Sequence, residues 1–145
     1  LVVGCGDSGK SSTANQPASG ASGSYASLKL ANSDGVTINE DVTYPKDRIQ
    51  NPQYKQMFGI DHIGLSYQKV TAGGTEGMVT YYEFKSAEEV GTAIQNAQNI
   101  QKTRPREMRK YGNFVVSFQV TSHDEAQLEA FVDRLDPLLR GKSGS

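Results

Sequence analysis

Met78-Val79-Thr80-Tyr81-Tyr82-Glu83-Phe84, then Lys85, then Ser86-Ala87-Glu88-Glu89-Val90, is the stretch in which the apolar period of this chain changes. Residues 78–84 alternate, with Met78, Thr80, Tyr82 and Phe84 on one side and Val79 and Tyr81 on the other, as in a strand. Ser86-Ala87-Glu88-Glu89 then forms a capping box, in which the Ser86 hydroxyl accepts from the Glu89 N–H and the Glu89 carboxylate reaches back. Behind it, Val90, Ala93, Ile94, Ala97 and Ile100 recur at helical spacing, so a helix is expected from Ala87 to about Gln101, ended by Arg104-Pro105. The second strand of a hairpin feeding directly into an amphipathic helix, followed by a further strand and helix, suggests an α+β domain.

The flanking segments extend this pattern. Residues 60–70 alternate Ile63, Leu65 and Tyr67 against Gly64, Ser66 and Gln68, and Thr71-Ala72-Gly73-Gly74-Thr75-Glu76-Gly77 follows as a glycine-rich turn. Together with residues 78–84 they read as a hairpin with a long, mobile tip. Residues 111–120 form the strongest strand, with Phe114, Val116, Phe118 and Val120 on one side. Ser122-His123-Asp124-Glu125 reads as a second capping box. It opens a helix with Leu128, Phe131, Val132 and Leu135 as its core face and Pro137 near its end. Ahead of the hairpin, residues 25–30 and 36–38 are short candidate strands, split by the turn Asn32-Ser33-Asp34-Gly35. Residues 40–57, polar and carrying Pro45 and Pro52, read as an extended connection with one helical turn. The expected architecture is a small antiparallel or mixed β-sheet in a β-β-α-β-α core, with two helices packed on one face.

The chain has 145 residues, a net charge of −1 and 36% hydrophobic residues. Such a balance creates no global field that would select nucleic acid. No stretch approaches the roughly 20 apolar residues of a membrane-spanning helix. The single cysteine, Cys5, rules out an internal disulfide.

The first eleven residues, Leu1-Val2-Val3-Gly4-Cys5-Gly6-Asp7-Ser8-Gly9-Lys10-Ser11, fit two motifs at once. Residues 4–11 match G-x-x-x-x-G-K-[ST], the phosphate-binding loop of nucleotide hydrolases. That loop must leave a buried strand and open a helix whose N-terminus holds the phosphates. Here it runs into Ser12-Thr13-Ala14-Asn15-Gln16-Pro17-Ala18-Ser19-Gly20-Ala21-Ser22-Gly23-Ser24, which has no large apolar residue to bury and is broken by Pro17 and the glycines. No apolar strand ending in Asp is available to hold Mg²⁺. The nucleotide hydrolase is therefore the alternative reading.

The same residues resemble the bacterial lipoprotein lipobox: Val2-Val3-Gly4 leading to Cys5, followed by a Ser/Gly/Ala-rich tether. The resemblance implies that residues 1–4 are the remnant of a signal peptide and that Cys5 carries a diacylglyceryl (palmitate-type) anchor. Residues 5–24 are then a lipidated N-terminus and flexible tether, residues 25–140 one α+β domain, and residues 141–145 a disordered tail. Each buried acyl CH₂ contributes roughly 0.8 kcal/mol, and two chains hold stably where one does not. A coil of this length has an r.m.s. reach of roughly 25 Å. The protein implied is lipid-anchored on the extracytoplasmic face of the cell membrane.

Within the domain, five basic residues cluster at Lys102, Arg104, Arg106, Arg109 and Lys110. On the functional reading they contact anionic headgroups, a cell-wall polyanion or an acidic partner; on the structural one they are a solvated loop between helix and strand. Asp61-His62 and His123-Asp124 are the two histidine sites, but a metal needs three or four convergent ligands and no serine has a nucleophile-elbow context. No metal, no cofactor and no catalysis are expected. Seven tyrosines without a tryptophan are the remaining bias: Tyr44, Tyr54, Tyr67, Tyr81, Tyr82 and Tyr111 could line a binding face or sit half-buried in the sheet. The expectation for function is a non-catalytic binding module of the cell envelope, its partner another envelope protein or a cell-surface polymer rather than nucleic acid.

Overall fold

The alternating segments assemble into a five-stranded, wholly antiparallel sheet. The computed structural model describes residues 24–49, 51–100 and 106–143. Its strands are β1 (Val36–Thr43), β2 (Gly64–Ala72), β3 (Thr75–Glu83), β4 (Glu107–Tyr111) and β5 (Phe114–Val120), in the spatial order β1-β2-β3-β5-β4. Four helices accompany them: α1 (Tyr25–Leu28), α2 (Pro52–Phe58), α3 (Ala87–Ile100) and α4 (Glu125–Ser143), with a 3₁₀ turn at Lys46–Arg48. The fold is α+β.

The β2–β3 connection is tight, not a long mobile tip. Gly73 and Gly74 alone form the turn, at φ of +57° and +83°, and Ala72 pairs with Thr75. Two consecutive positive φ angles give the primed turn whose twist matches the flanking strands, and only glycine adopts them freely. A second hairpin stands where one strand was expected. Tyr111 pairs with Phe114 across Gly112-Asn113, so residues 107–111 form an edge strand of their own.

Nearly every residue of β5 from Phe114 to Phe118 is buried, which requires cover on both faces of the sheet. The two long helices provide it from opposite sides, correcting the expectation of one helical face. Val70, Val79, Tyr81, Val116 and Phe118 pack with Leu128, Phe131, Val132, Leu135 and Leu139 of α4, and Leu28 and Leu30 join that core. On the other face Leu65, Tyr82, Phe84 and Val115 pack with Val90, Ala93 and Ala97 of α3 and with Phe58 of α2. The adjacent Tyr81 and Tyr82 thus belong to different cores.

Local chemistry explains the remaining differences. Residues 25–28 are helical because Ser24 and Ser27 cap each other: the Ser24 hydroxyl accepts from the Ser27 N–H and the Ser27 hydroxyl accepts from the Ser24 N–H. Residues 40–57 hold the end of β1, the 3₁₀ turn and most of α2, rather than a plain connection. Helix α2 starts at the Asn51 cap with Pro52 in its first turn and stops at Gly59, φ +76°. The Asn96 amide of α3 donates to the Phe58 carbonyl at 2.8 Å and fastens that end. Helix α3 begins with the expected Ser86 bond to the Glu89 N–H, 3.3 Å. For α4 the cap is Asp124 instead of Ser122: its Oδ1 accepts from the Gln127 N–H at 3.0 Å, while Ser122 accepts from the Asp124 N–H and donates to the Gln127 amide oxygen. Pro137 lies inside this helix, which continues to Ser143, so residues 141–143 are helical rather than tail.

Candidate functional site

Cross-strand register brings one set of side chains to an open part of the sheet. On the face that carries α2 and α3, the rung Leu65–Tyr82–Val115 is followed by Tyr67–Thr80–Ser117 and then by Lys69–Met78–Gln119. The first rung lies in the α2–α3 core. Over the next two the sheet opens into a groove of about 530 Å³. Gln53, Tyr54 and Met57 of α2 form one wall, Tyr44 stands beyond the end of β1, and Arg106 enters just ahead of β4.

Four tyrosines therefore share one cavity. The Tyr44 and Tyr67 rings lie 6.0 Å apart, and Tyr54 meets Tyr82 edge-on at 5.6 Å. Burial pushes the Tyr82 hydroxyl well above the ordinary phenol range, against the opposing pull of Arg106, so it stays protonated. Of the six candidate tyrosines, Tyr81 and Tyr111 do not reach the groove. Tyr81 donates to Gln68 Oε1 at 2.6 Å and Tyr111 to Asp136 Oδ1 at 2.5 Å, both in the α4 core.

Among the described residues, the lining holds two cations and no carboxylate. Lys69 is matched from outside it by Glu40, 3.2 Å away. Arg106 is held by an amide: with the Gln119 side chain oriented so that its oxygen faces the guanidinium, it accepts from Nη2 at 3.1 Å and from Nε at 3.3 Å. Among the described residues no acid forms an ion pair with Arg106.

The basic cluster read from sequence does not form one patch among the described residues. A strand sends alternate side chains to opposite faces, and residues 107–111 are a strand rather than a loop. Arg106 faces the groove; Arg109 faces α4 and pairs with Glu107 at 3.0 Å and Asp136 at 3.3 Å. Lys110 is exposed at the edge of a second depression of about 800 Å³ between α3 and β4. There the other cations are neutralised, because Asp136 also binds Arg140 at 2.8 Å. Lys102 and Arg104 lie outside the described residues, as do Cys5, the lipobox and the phosphate-loop match at residues 4–11.

The histidines do not meet. His123 is exposed in the turn before α4, at φ +60°. His62 is 3% exposed, and its Nε2 has no hydrogen-bond partner among the described residues. Its ring is boxed by Tyr54, Phe58, Tyr82 and Phe84. No cluster among the described residues could hold a metal ion. Burial lowers the His62 pKa, opposed by the charge of Asp61, which is itself paired with Lys55. The unfolded chain consequently takes up this proton first as pH falls. Stability contributed by neutral His62 should be full above about pH 6.5 and be lost as pH drops through that value toward the folded pKa. Urea midpoints at pH 7.5 and 5.5 should differ more for the natural protein than for His62→Phe; equal differences would show that His62 is not the titrating group.

Sequence reasoning expected one helical turn somewhere in residues 40–57 but did not place α2, and with it one wall of the groove, although Asn51-Pro52 and Gly59 were present as start and stop signals. Among the described residues no helix is long and apolar enough to cross a membrane. No protein-family model matches the chain, and neither the curated proteins nor the solved structures yield a match.

Proposed function

We propose that this chain is a non-catalytic binding module of the bacterial cell envelope, carried on a lipid anchor at Cys5 and taking its ligand in the tyrosine groove. The observation that carries the reading is the lining itself. Among the described residues, four tyrosines and two methionines line the groove together with a guanidinium that no acid neutralises, in a cleft open to solvent. Rigid aromatic side chains offer contact area at small entropic cost, and an arginine without an acid partner supplies orientation. The lipobox Val2-Val3-Gly4-Cys5 and its polar tether support delivery of this groove to the extracytoplasmic side of the membrane.

The test separates anchor from groove. Palmitate labelling of the chain made with a functional leader should vanish in Cys5→Ser; labelling that survives overturns the anchor. Binding of the purified protein to cell-wall and membrane fractions should weaken about tenfold or more in Tyr44→Ala/Tyr67→Ala, since each aromatic contact contributes roughly 0.5–1.5 kcal/mol beyond burial. Unchanged binding would move the function elsewhere on the surface.

A further inference from the structure

We infer that the groove recognises an acid-bearing sugar chain, an oligosaccharide carrying carboxylate or phosphate groups; this rests on the reading of the groove as the binding site. The groove lies over β2, β3 and β5, each paired on both sides within the sheet, so every backbone ladder there is already satisfied. An extended peptide gains much of its affinity by adding to an unpaired strand edge. This face offers none, and only side chains can read the ligand.

Those side chains suit a saccharide. The Tyr44 and Tyr67 rings, 6.0 Å apart, line the cleft and offer apolar area for packing against the C–H surface of a sugar ring. Gln53, Thr80 and Gln119 line the same groove and can both donate to and accept from hydroxyls. The acid is required by charge complementarity. Arg106 is the one lining cation that no carboxylate neutralises among the described residues, and its fork matches a carboxylate or phosphate in a bidentate pair. A single-stranded nucleic acid also stacks on aromatic rings. It needs a groove whose cations track every phosphate, however, and here one of two is already spent on Glu40.

The full chain is titrated with hexagalacturonate, a terminally phosphorylated maltohexaose, plain maltohexaose, hexaglutamate and hexathymidylate, read by amide chemical shifts and calorimetry. At least one of the two acidic sugars should bind, shift Tyr67, Thr80 and Gln119, weaken with salt, and exceed maltohexaose by roughly tenfold or more. Arg106→Gln, which keeps a polar side chain at a half-exposed position, should remove that advantage and leave the native spectrum intact. Whichever of the two sugars binds more tightly identifies the acid as carboxyl or phosphoryl. Equal binding of maltohexaose, equal binding of hexaglutamate or hexathymidylate at the groove, or no binding of either acidic sugar overturns the inference. If the sugars fail while binding to wall fractions still depends on Tyr44 and Tyr67, only the ligand class is wrong. If that dependence also fails, the groove itself is not the site.

Discussion

Gln68→Leu should destabilise the domain by about 3–6 kcal/mol, close to the whole stability of many domains of this size. Gln68 is 0% exposed, and all four of its hydrogen-bonding positions are used. Its Oε1 accepts from the Tyr81 hydroxyl at 2.6 Å and from the Leu30 N–H at 3.1 Å, and its Nε2 donates to the Leu30 carbonyl at 2.8 Å and to Asp41 at 3.2 Å. One side chain therefore stitches the segment after α1 to the middle of the sheet. Leucine fills nearly the same volume but orphans the Tyr81 hydroxyl and the Leu30 carbonyl, each costing about 1–3 kcal/mol when left buried and unpaired. The Leu30 N–H keeps only a 3.4 Å contact with Tyr81 Oη. Urea denaturation of the variant gives the number. In a cycle with Tyr81→Phe the two losses should be strongly non-additive, because they share a bond. A cost under about 1 kcal/mol would mean that the network is spare.

Glycine-to-alanine exchanges at two positions should have opposite signs. A Cβ at Gly77, in β3, would stand 2.4 Å from the Gln119 carbonyl oxygen and 2.7 Å from the Phe131 ring. The carbonyl belongs to the neighbouring strand, where Gly77 pairs with Val120, and it cannot retreat without opening the ladder. We expect a loss of about 3 kcal/mol or more, at or beyond the upper end of the usual overpacking range. A Cβ at Gly91, on α3, meets nothing within 4 Å. There alanine should stabilise by about 0.5–1 kcal/mol through helix propensity. Thermal unfolding of the two variants, run side by side, tests both signs. Adding Phe131→Leu to Gly77→Ala should recover only part of the loss, since the backbone oxygen remains. Full recovery would place the strain in the ring alone.

How legible the protein was depended on how long each periodic signal ran. The alternation over residues 78–84 and the spacing from Val90 to Ala97 were sufficient for the hairpin, for α3 and for the class. The short runs failed because neighbours settled them. Leu28 and Leu30 alternate like a strand, yet the reciprocal serine caps at Ser24 and Ser27 turn the backbone into α1. Gly112-Asn113 was a turn signal hidden inside an apparently continuous strand, and missing it left Arg106 and Arg109 in a loop instead of on opposite faces. Of the groove, the tyrosines were visible as a composition. Which four of the six converge was not, because that depends on register: Tyr67 stands opposite Thr80, and Thr80 opposite Ser117, only once β2, β3 and β5 are aligned. His62 gave no hint of burial, since its box is assembled from α2, β3 and Phe84 just beyond β3.

The sheet between two cores has a bearing on how such a protein can diversify. Along β3 the residues alternate between duties: Val79 and Tyr81 belong to the α4 core, while Met78 and Thr80 belong to the groove. Neighbours in sequence therefore carry nearly independent constraints. On the proposed binding role, a substitution at Met78, Thr80 or Lys69 should alter what the cleft accepts while changing none of the residues that form the α4 core. Binding preference could then drift by single codon changes in β2 and β3 without a compensating change in the α4 core. A library randomised at those positions should yield mostly folded members with altered ligands, whereas the same library at Val79, Tyr81 and Phe118 should yield few that fold.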